Sequence, residues 1–218
     1  MKTRLCICLF LISNFINAQT IQKGEVKEIN SGGKGIAGVQ IVYENAVATD
    51  SDGNGAFALS FKENVNPGDE IFMQKITKKG YELVNRTQLQ ILKLSSTDSF
   101  PEKIILAKHG MIDSIRAVWS GASINALTKS YRRENQKLKD DLKNSKISKK
   151  ELDDALVQLS EQYEQEQKKV ETMADRFART NFDDVDPIYK KALQKFKEGK
   201  IDSTIILLES INVIDRIR

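Results

Sequence analysis

The chain has 218 residues, 40% apolar and 29% charged, a balance too hydrophobic for a disordered polymer and too charged for one large buried core. Its 34 Lys and Arg against 30 Asp and Glu give a net charge of +4, and no compact basic block comes with that surplus, which argues against nucleic-acid binding. One His and two Cys leave little material for a metal centre or a cysteine–histidine dyad, so the expectation is a non-catalytic chain without cofactor, metal or small-molecule substrate.

Lys2 and Arg4 precede an apolar run from Leu5 to Ile12, and Ile16-Asn17-Ala18 offers a small-residue exit before Gln19. That is the layout of a secretory signal peptide over residues 1–18. The run is too short to cross about 30 Å of hydrocarbon. Cys6 and Cys8 lie inside it rather than at the cleavage point, which argues against a lipid anchor. Cleavage after Ala18 would remove both cysteines and leave 32 basic against 30 acidic residues. The mature chain would then be periplasmic or envelope-associated, and without thiols to oxidise there.

From Ile21 to about Lys108 short apolar runs of period two alternate with Gly, Asn and Asp clusters. They predict strands at Gln22–Ile29, Val39–Tyr43, Ala46–Thr49, Ala56–Phe61, Glu70–Lys75, Gln88–Lys93 and Lys103–Ala107. Strands at this spacing indicate a β-sandwich, here residues 19–108. Phe57, Leu59 and Phe61 fall on one face of their strand and belong to its core.

The motifs Gly24-Glu25-Val26, Gly35-Ile36-Ala37-Gly38-Val39-Gln40-Ile41 and Ala48-Thr49-Asp50-Ser51-Asp52-Gly53-Asn54-Gly55-Ala56-Phe57-Ala58-Leu59, with the later Lys79-Gly80-Tyr81-Glu82, resemble the carboxypeptidase regulatory-like domain. The resemblance covers roughly residues 21–108. It implies a transthyretin-like or Ig-like sandwich, with a hairpin at the third motif and no catalytic residues of its own.

Three motifs in this half invite chemistry. Gly33-Lys34-Gly35-Ile36-Ala37-Gly38 matches G-x-G-x-x-G, but dinucleotide binding needs a helix to begin there. Val39-Gln40-Ile41-Val42-Tyr43 reads as a strand, so a hairpin loop is expected. Asp50, Asp52, Asn54 and Gly55 fit the start of a calcium loop, yet Phe61 stands where the bidentate Glu belongs. His109 has no second His or mature Cys to converge with, and reads as a linker residue.

Past His109-Gly110 the period becomes helical. Leu138, Leu142, Ser145, Lys149, Leu152, Leu156, Leu159, Tyr163, Glu166, Val170, Met173 and Phe177 alternate in steps of four and three, a heptad seam with nine apolar members. Ser148-Lys149-Lys150-Glu151 is a capping-box signature inside it. The expectation is two long helices, about 111–144 and 148–180, or one helix kinked between them, making residues 109–180 a coiled-coil region. The seam must be covered either by the first helix folding back or by another chain, and both readings stay open.

Asp186-Pro187 marks a helix start, with a helix Ile188–Glu198 ending at Gly199 and a second, capped by Asp202, running to about Ile217. Val185 to Arg218 is 34 residues long and resembles one tetratricopeptide repeat: Ala192, Gly199, Ile201, Leu208 and Ile211 fall on its small or apolar positions, while Thr204 replaces the usual Ala. A lone repeat cannot bury its apolar face. Ile205, Ile206, Leu207, Leu208, Ile211, Val213 and Ile214 therefore need a cover from the long helices, a partner or further chain. The fold class expected is a β-sandwich followed by an all-α region whose last unit is residues 181–218.

The function this pattern favours is an exported scaffold that binds a protein partner or itself. Leu152, Leu156, Leu159, Val170 and Phe177 on the seam, with Ile205 and Leu208 at the end, are the candidate contacts; their alternative role is internal core. A sensory input region of an envelope signalling protein, or an accessory module to a peptidase, are the competing readings.

Overall fold

The computed structural model describes residues 20–62, 64–94 and 102–217, the last six of these as helix backbone alone. The leader reading falls outside the described residues. Two four-stranded sheets come first, and helices follow.

The strands are β1 (Ile21–Glu28), β2 (Gln40–Tyr43), β3 (Thr49–Asp50), β4 (Ala56–Ser60), β5 (Glu70–Thr77), β6 (Tyr81–Leu83), β7 (Ile91–Lys93) and β8 (Glu102–Lys108), with a single helical turn α1 (Arg86–Leu89) before β7. One sheet runs β4-β1-β8-β6 and the other β3-β2-β5-β7. Neighbours are antiparallel except β1 and β8, which pair in parallel with Gly24 opposite Glu102 and Glu28 opposite Leu106. Val26, Leu59, Ile104 and Leu106 of the first sheet meet Ile41, Tyr43, Ile71, Ile76 and Leu92 of the second in one core. Phe57, Leu59 and Phe61 are all buried in it, as period two requires.

Several expected elements change. The segment Gln88–Lys93 divides into α1 and β7, and Ala46–Thr49 contracts to β3 plus a lone bridge from Ala46 to Phe61. The G-x-G-x-x-G segment is indeed followed by a strand, and its start folds back on β1 as a short hairpin, with Lys27 bridged antiparallel to Gly35, Glu28 N donating to the Lys34 carbonyl and Ile36 N to the Val26 carbonyl. It carries the chain from one sheet to the other, and Asp52–Gly55 carries it back, because β1 and β4 share a sheet that excludes β2 and β3. The two turns pack against each other: a Cβ on Gly35 would overlap the Asn54 carbonyl, and one on Gly55 would overlap the Val26 carbonyl at a backbone φ of +83°. Glycine is needed there for close approach rather than for a phosphate.

Gly110, in the left-handed region at φ +78°, turns the chain out of β8 into α2 (Met111–Lys143). The second long helix, α3 (Lys149–Ala178), starts on the expected capping box: Glu151 N donates to Ser148 Oγ at 3.2 Å and Ser148 N to the Glu151 carboxylate at 2.7 Å. Ser145 and Lys149, polar members of the seam, fall in or beside this exposed turn. α3 folds back antiparallel on α2. Arg116 meets Asp175, Ser120 meets Glu171 and Thr128 meets Tyr163, so the two helices pack against each other, with Leu152, Val170 and Phe177 of the seam buried and Leu138, Leu142, Leu156 and Leu159 half-buried.

α4 (Pro187–Lys197) begins as Asp186 accepts a hydrogen bond from Ile188 N at 2.8 Å. α5 (Ile201–Ile217) follows. Asp202 lies inside its first turn instead of capping it, and pairs with Lys169 at 3.7 Å. Ala192, Phe196, Ile201, Leu208 and Ile211 join Leu127, Val170 and Phe177 in a second core. Gly199 sits against the backbone of Ala126 and Leu127. The long helices thus cover Ile201, Leu208 and Ile211 and, in part, Ile205 and Leu207 of the terminal pair, whereas Ile206 stands in solvent and the side chains of Val213 and Ile214 lie outside the described residues.

Candidate interaction site between strands and helices

The strands and helices meet over a small apolar contact, where Ile29, Val84, Ile105 and Ala107 pack on Ile112 and Ala178. Around it runs a polar seam. Asn30, at φ +52°, is one of the few non-glycine residues that tolerates this region, and there its amide faces the segment after α3. Asn30 N donates to Asn181 Oδ1 at 3.0 Å, Phe182 N donates to Asn30 Oδ1 at 2.6 Å, and Gly32 N and Gly33 N both donate to Asp183 Oδ2, at 2.9 and 3.3 Å. Part of the G-x-G-x-x-G loop therefore does bind an anion, but the anion is the chain's own carboxylate.

Beside this latch lies a cleft of about 490 Å³, with Val84, Ile105, Val185 and Tyr189 among its apolar lining and Glu102, Lys103 and Asp184 among its charged groups. Its floor is fixed by Asn85. The side chain of that residue does not cap α1. Instead Nδ2 donates to the Lys103 carbonyl at 2.8 Å and Oδ1 accepts from Ile105 N at 2.9 Å. The Asn85 amide thereby prolongs the β6–β8 ladder and satisfies edge groups of β8 that would otherwise go unpaired.

The charges of the cleft are unequally engaged. Lys103 Nζ lies 3.5 Å from Asp184, whose other contact is Asn181 Nδ2 at 3.0 Å. Arg179 is held by both oxygens of Asp175, at 3.3 and 3.0 Å. Among the described residues nothing hydrogen-bonds or ion-pairs with the Glu102 side chain. Burial pushes the Glu102 carboxyl above its ordinary range. Burial also pushes the Tyr43 phenol well up, and the nearby Glu102 adds to it; that phenol donates to the Leu89 carbonyl at 3.1 Å in the core.

The residues expected to make contacts are distributed differently. Val170, Phe177 and Leu208 are core, and Leu152 is 8% exposed at the turn end of the hairpin. Leu156, Leu159 and Ile205 are half-buried, with Leu159 lining shallow grooves against Leu127, Tyr131 and Leu138. Among the described residues, the large aliphatic side chains that stand in solvent on the helices are Val118 at 67%, Val157 at 58% and Ile206 at 66%. Asp52 is occupied by its own turn, accepting from Asn54 N and Ala56 N at 2.8 Å each, and β3 and β4 flank it. His109 is exposed, its N donating to the Gly80 carbonyl. No group of three metal-ligating side chains occurs among the described residues, and none of their helices is long and apolar enough to cross a membrane.

Sequence reasoning missed Asn85, Glu102, Asp183 and Asp184. They are separated by up to 99 positions and share no spacing; only the Asn and Gly positions of the β1–β2 loop hinted at an unusual backbone. Comparison of the chain with protein-family models, with curated proteins and with solved structures found no match in any of the three.

Proposed function

We propose that the protein is an exported, non-catalytic scaffold of the cell envelope whose helices contact protein partners. The observation that carries this reading is the shape and surface of the α2–α3 hairpin. Helices of 33 and 30 residues extend about 45–50 Å at 1.5 Å per residue, and their exposed aliphatic positions, Val118 and Val157, serve no core. Two sheets sharing one core, with glycines required at Gly35 and Gly55, support the carboxypeptidase regulatory-like reading of the β half. The α4–α5 pair and its small residues at Ala192 and Gly199 support the tetratricopeptide-like reading, with the long helices in place of neighbouring repeats. The paired α2 and α3 seam supports an intramolecular coiled coil, which leaves self-association to the outer faces.

A photoactivatable residue placed at Val157 in cells should give a discrete adduct, and one placed at the buried Val170 should not. Absence of adducts from Val157, Val118 and Ile206 alike would sink the scaffold reading. Export is tested separately: envelope fractions should contain a chain whose first residue is Gln19.

A further inference from the structure

We propose that the exposed face of α3 around Val157 docks on the exposed face of α2 around Arg132 in a second copy of this chain, so that two hairpins pair through opposite charges. The inference deepens the scaffold reading and rests on it in taking the outer faces of the hairpin as contact surfaces. Both halves of the contact stand on one chain, and neither is satisfied among the described residues.

Between Glu151 and Gln167, α3 carries six Asp and Glu and no Lys or Arg. Val157 has Asp153 and Asp154 one turn before it and Glu161 one turn after, spacings that set the four side by side on a helix. Among the described residues no cation pairs with these three carboxylates. The complement lies on α2. Lys129, Arg132 and Arg133 line a cleft of about 380 Å³ together with Ala126 and Glu198, and among the described residues these three cations have no carboxylate partner either. Glu198 does not supply one, because Lys195 and Lys200 hold it at 3.3 and 2.8 Å. Ala126 and the aliphatic stems of the basic side chains give Val157 an apolar seat while their charged heads reach the carboxylates. The two patches are also level. Thr128 meets Tyr163, so in antiparallel helices Arg132, one turn along α2, lies beside Leu159, one turn back on α3. A twofold axis across the hairpins at that level brings α3 of each copy against α2 of the other, and the contact is made twice. A lone exposed ion pair contributes little; three cations against three carboxylates around an apolar centre, repeated by symmetry, form a network.

The test is sedimentation equilibrium of the purified full chain at low and high salt. The chain should be a dimer at low salt, and raising the salt about ten-fold should weaken the dimer by about ten-fold or more, as screening requires. Arg132→Glu combined with Arg133→Glu should be monomeric, and so should Asp153→Lys combined with Asp154→Lys. All four positions are exposed, so both variants should melt as the parent monomer does. Mixed in equal amounts, the two variants should form a heterodimer, since each patch then meets its opposite charge again. A photoactivatable residue at Val157 should give an adduct with the mass of two chains. A parent that stays monomeric at low salt, a dimer indifferent to salt and to both variants, or variants that fail to pair on mixing, overturns the proposal. Adducts from Val157 to a different protein, with the parent monomeric, would reject the second copy and leave the scaffold reading standing.

Discussion

Gly35 and Gly55 show how a single missing methyl group holds two turns together. Each brings its backbone against a neighbouring carbonyl, with Gly55 also in the left-handed region. Gly35→Ala should cost more than about 2 kcal/mol by forcing the β1–β2 and β3–β4 turns apart, read as a lower urea midpoint. Gly53→Ala, with open space around it, serves as the control. Glu102 makes the opposite prediction. Its folded-state pKa is raised above the ordinary 4.5 by burial, so the folded state binds its proton more tightly than the unfolded chain does. The contribution therefore favours folding below the ordinary value and is lost as pH rises through the raised one. Glu102→Gln should raise the melting temperature at pH 7 and change it little near pH 4, as scanning calorimetry at the two pH values would show. Ser123 is a third case: its Oγ is buried with no partner among the described residues, so Ser123→Ala should be neutral or stabilising in the same assay, whereas Ser120→Ala loses a 2.6 Å bond to Glu171.

At the scale of elements, the long helices were the most legible part of the chain and the short strands the least. A seam of nine apolar positions and a capping box set α2 and α3 to within two residues of their ends, because both signals are local. β6 went unread: three residues, all half-buried, give period two nothing to display, and the strand exists because β8 lies beside it. The Asp202 cap failed because the helix already begins at Ile201, which puts Asp202 inside the first turn, where its carboxylate pairs with Lys169 on α3. Cap geometry has a direct test. Ser148→Ala should cost about 1 kcal/mol, and helicity lost first at the 144–150 turn would appear as faster amide exchange there. The Glu151 carboxyl is held below its usual range, chiefly by the Ser148 backbone amide and then by its hydroxyl. Stability from that contact is present above the ordinary value and fades as pH falls through the lowered one.

For the molecule as a whole, the joint between strands and helices combines a buried apolar cluster with a rim of exposed hydrogen bonds. Sequence could not reveal it, because Asn30 and Gly32 find Asn181 and Asp183 about 150 positions away, and only the completed fold brings them together. The same is true of the cleft: Lys103 and Asp184 are ordinary charged residues until β8 and the segment after α3 are placed side by side. Asn30→Ala combined with Asp183→Ala should therefore leave both cores intact yet loosen their coupling. Calorimetry should show a broadened or divided transition where the parent melts as one. A single undiminished transition in the double variant would assign the coupling to the Ile105–Ile112 contact alone.

The parallel pairing of β1 with β8 carries a consequence for biosynthesis. β1 can pair with β4 once Ser60 has been made, but its parallel neighbour β8 arrives only with Lys108, so one edge of β1 stays open while the intervening strands are synthesised and the sheet closes last through its two middle strands. Until β8 arrives, that open edge of β1 is a template for the wrong partner.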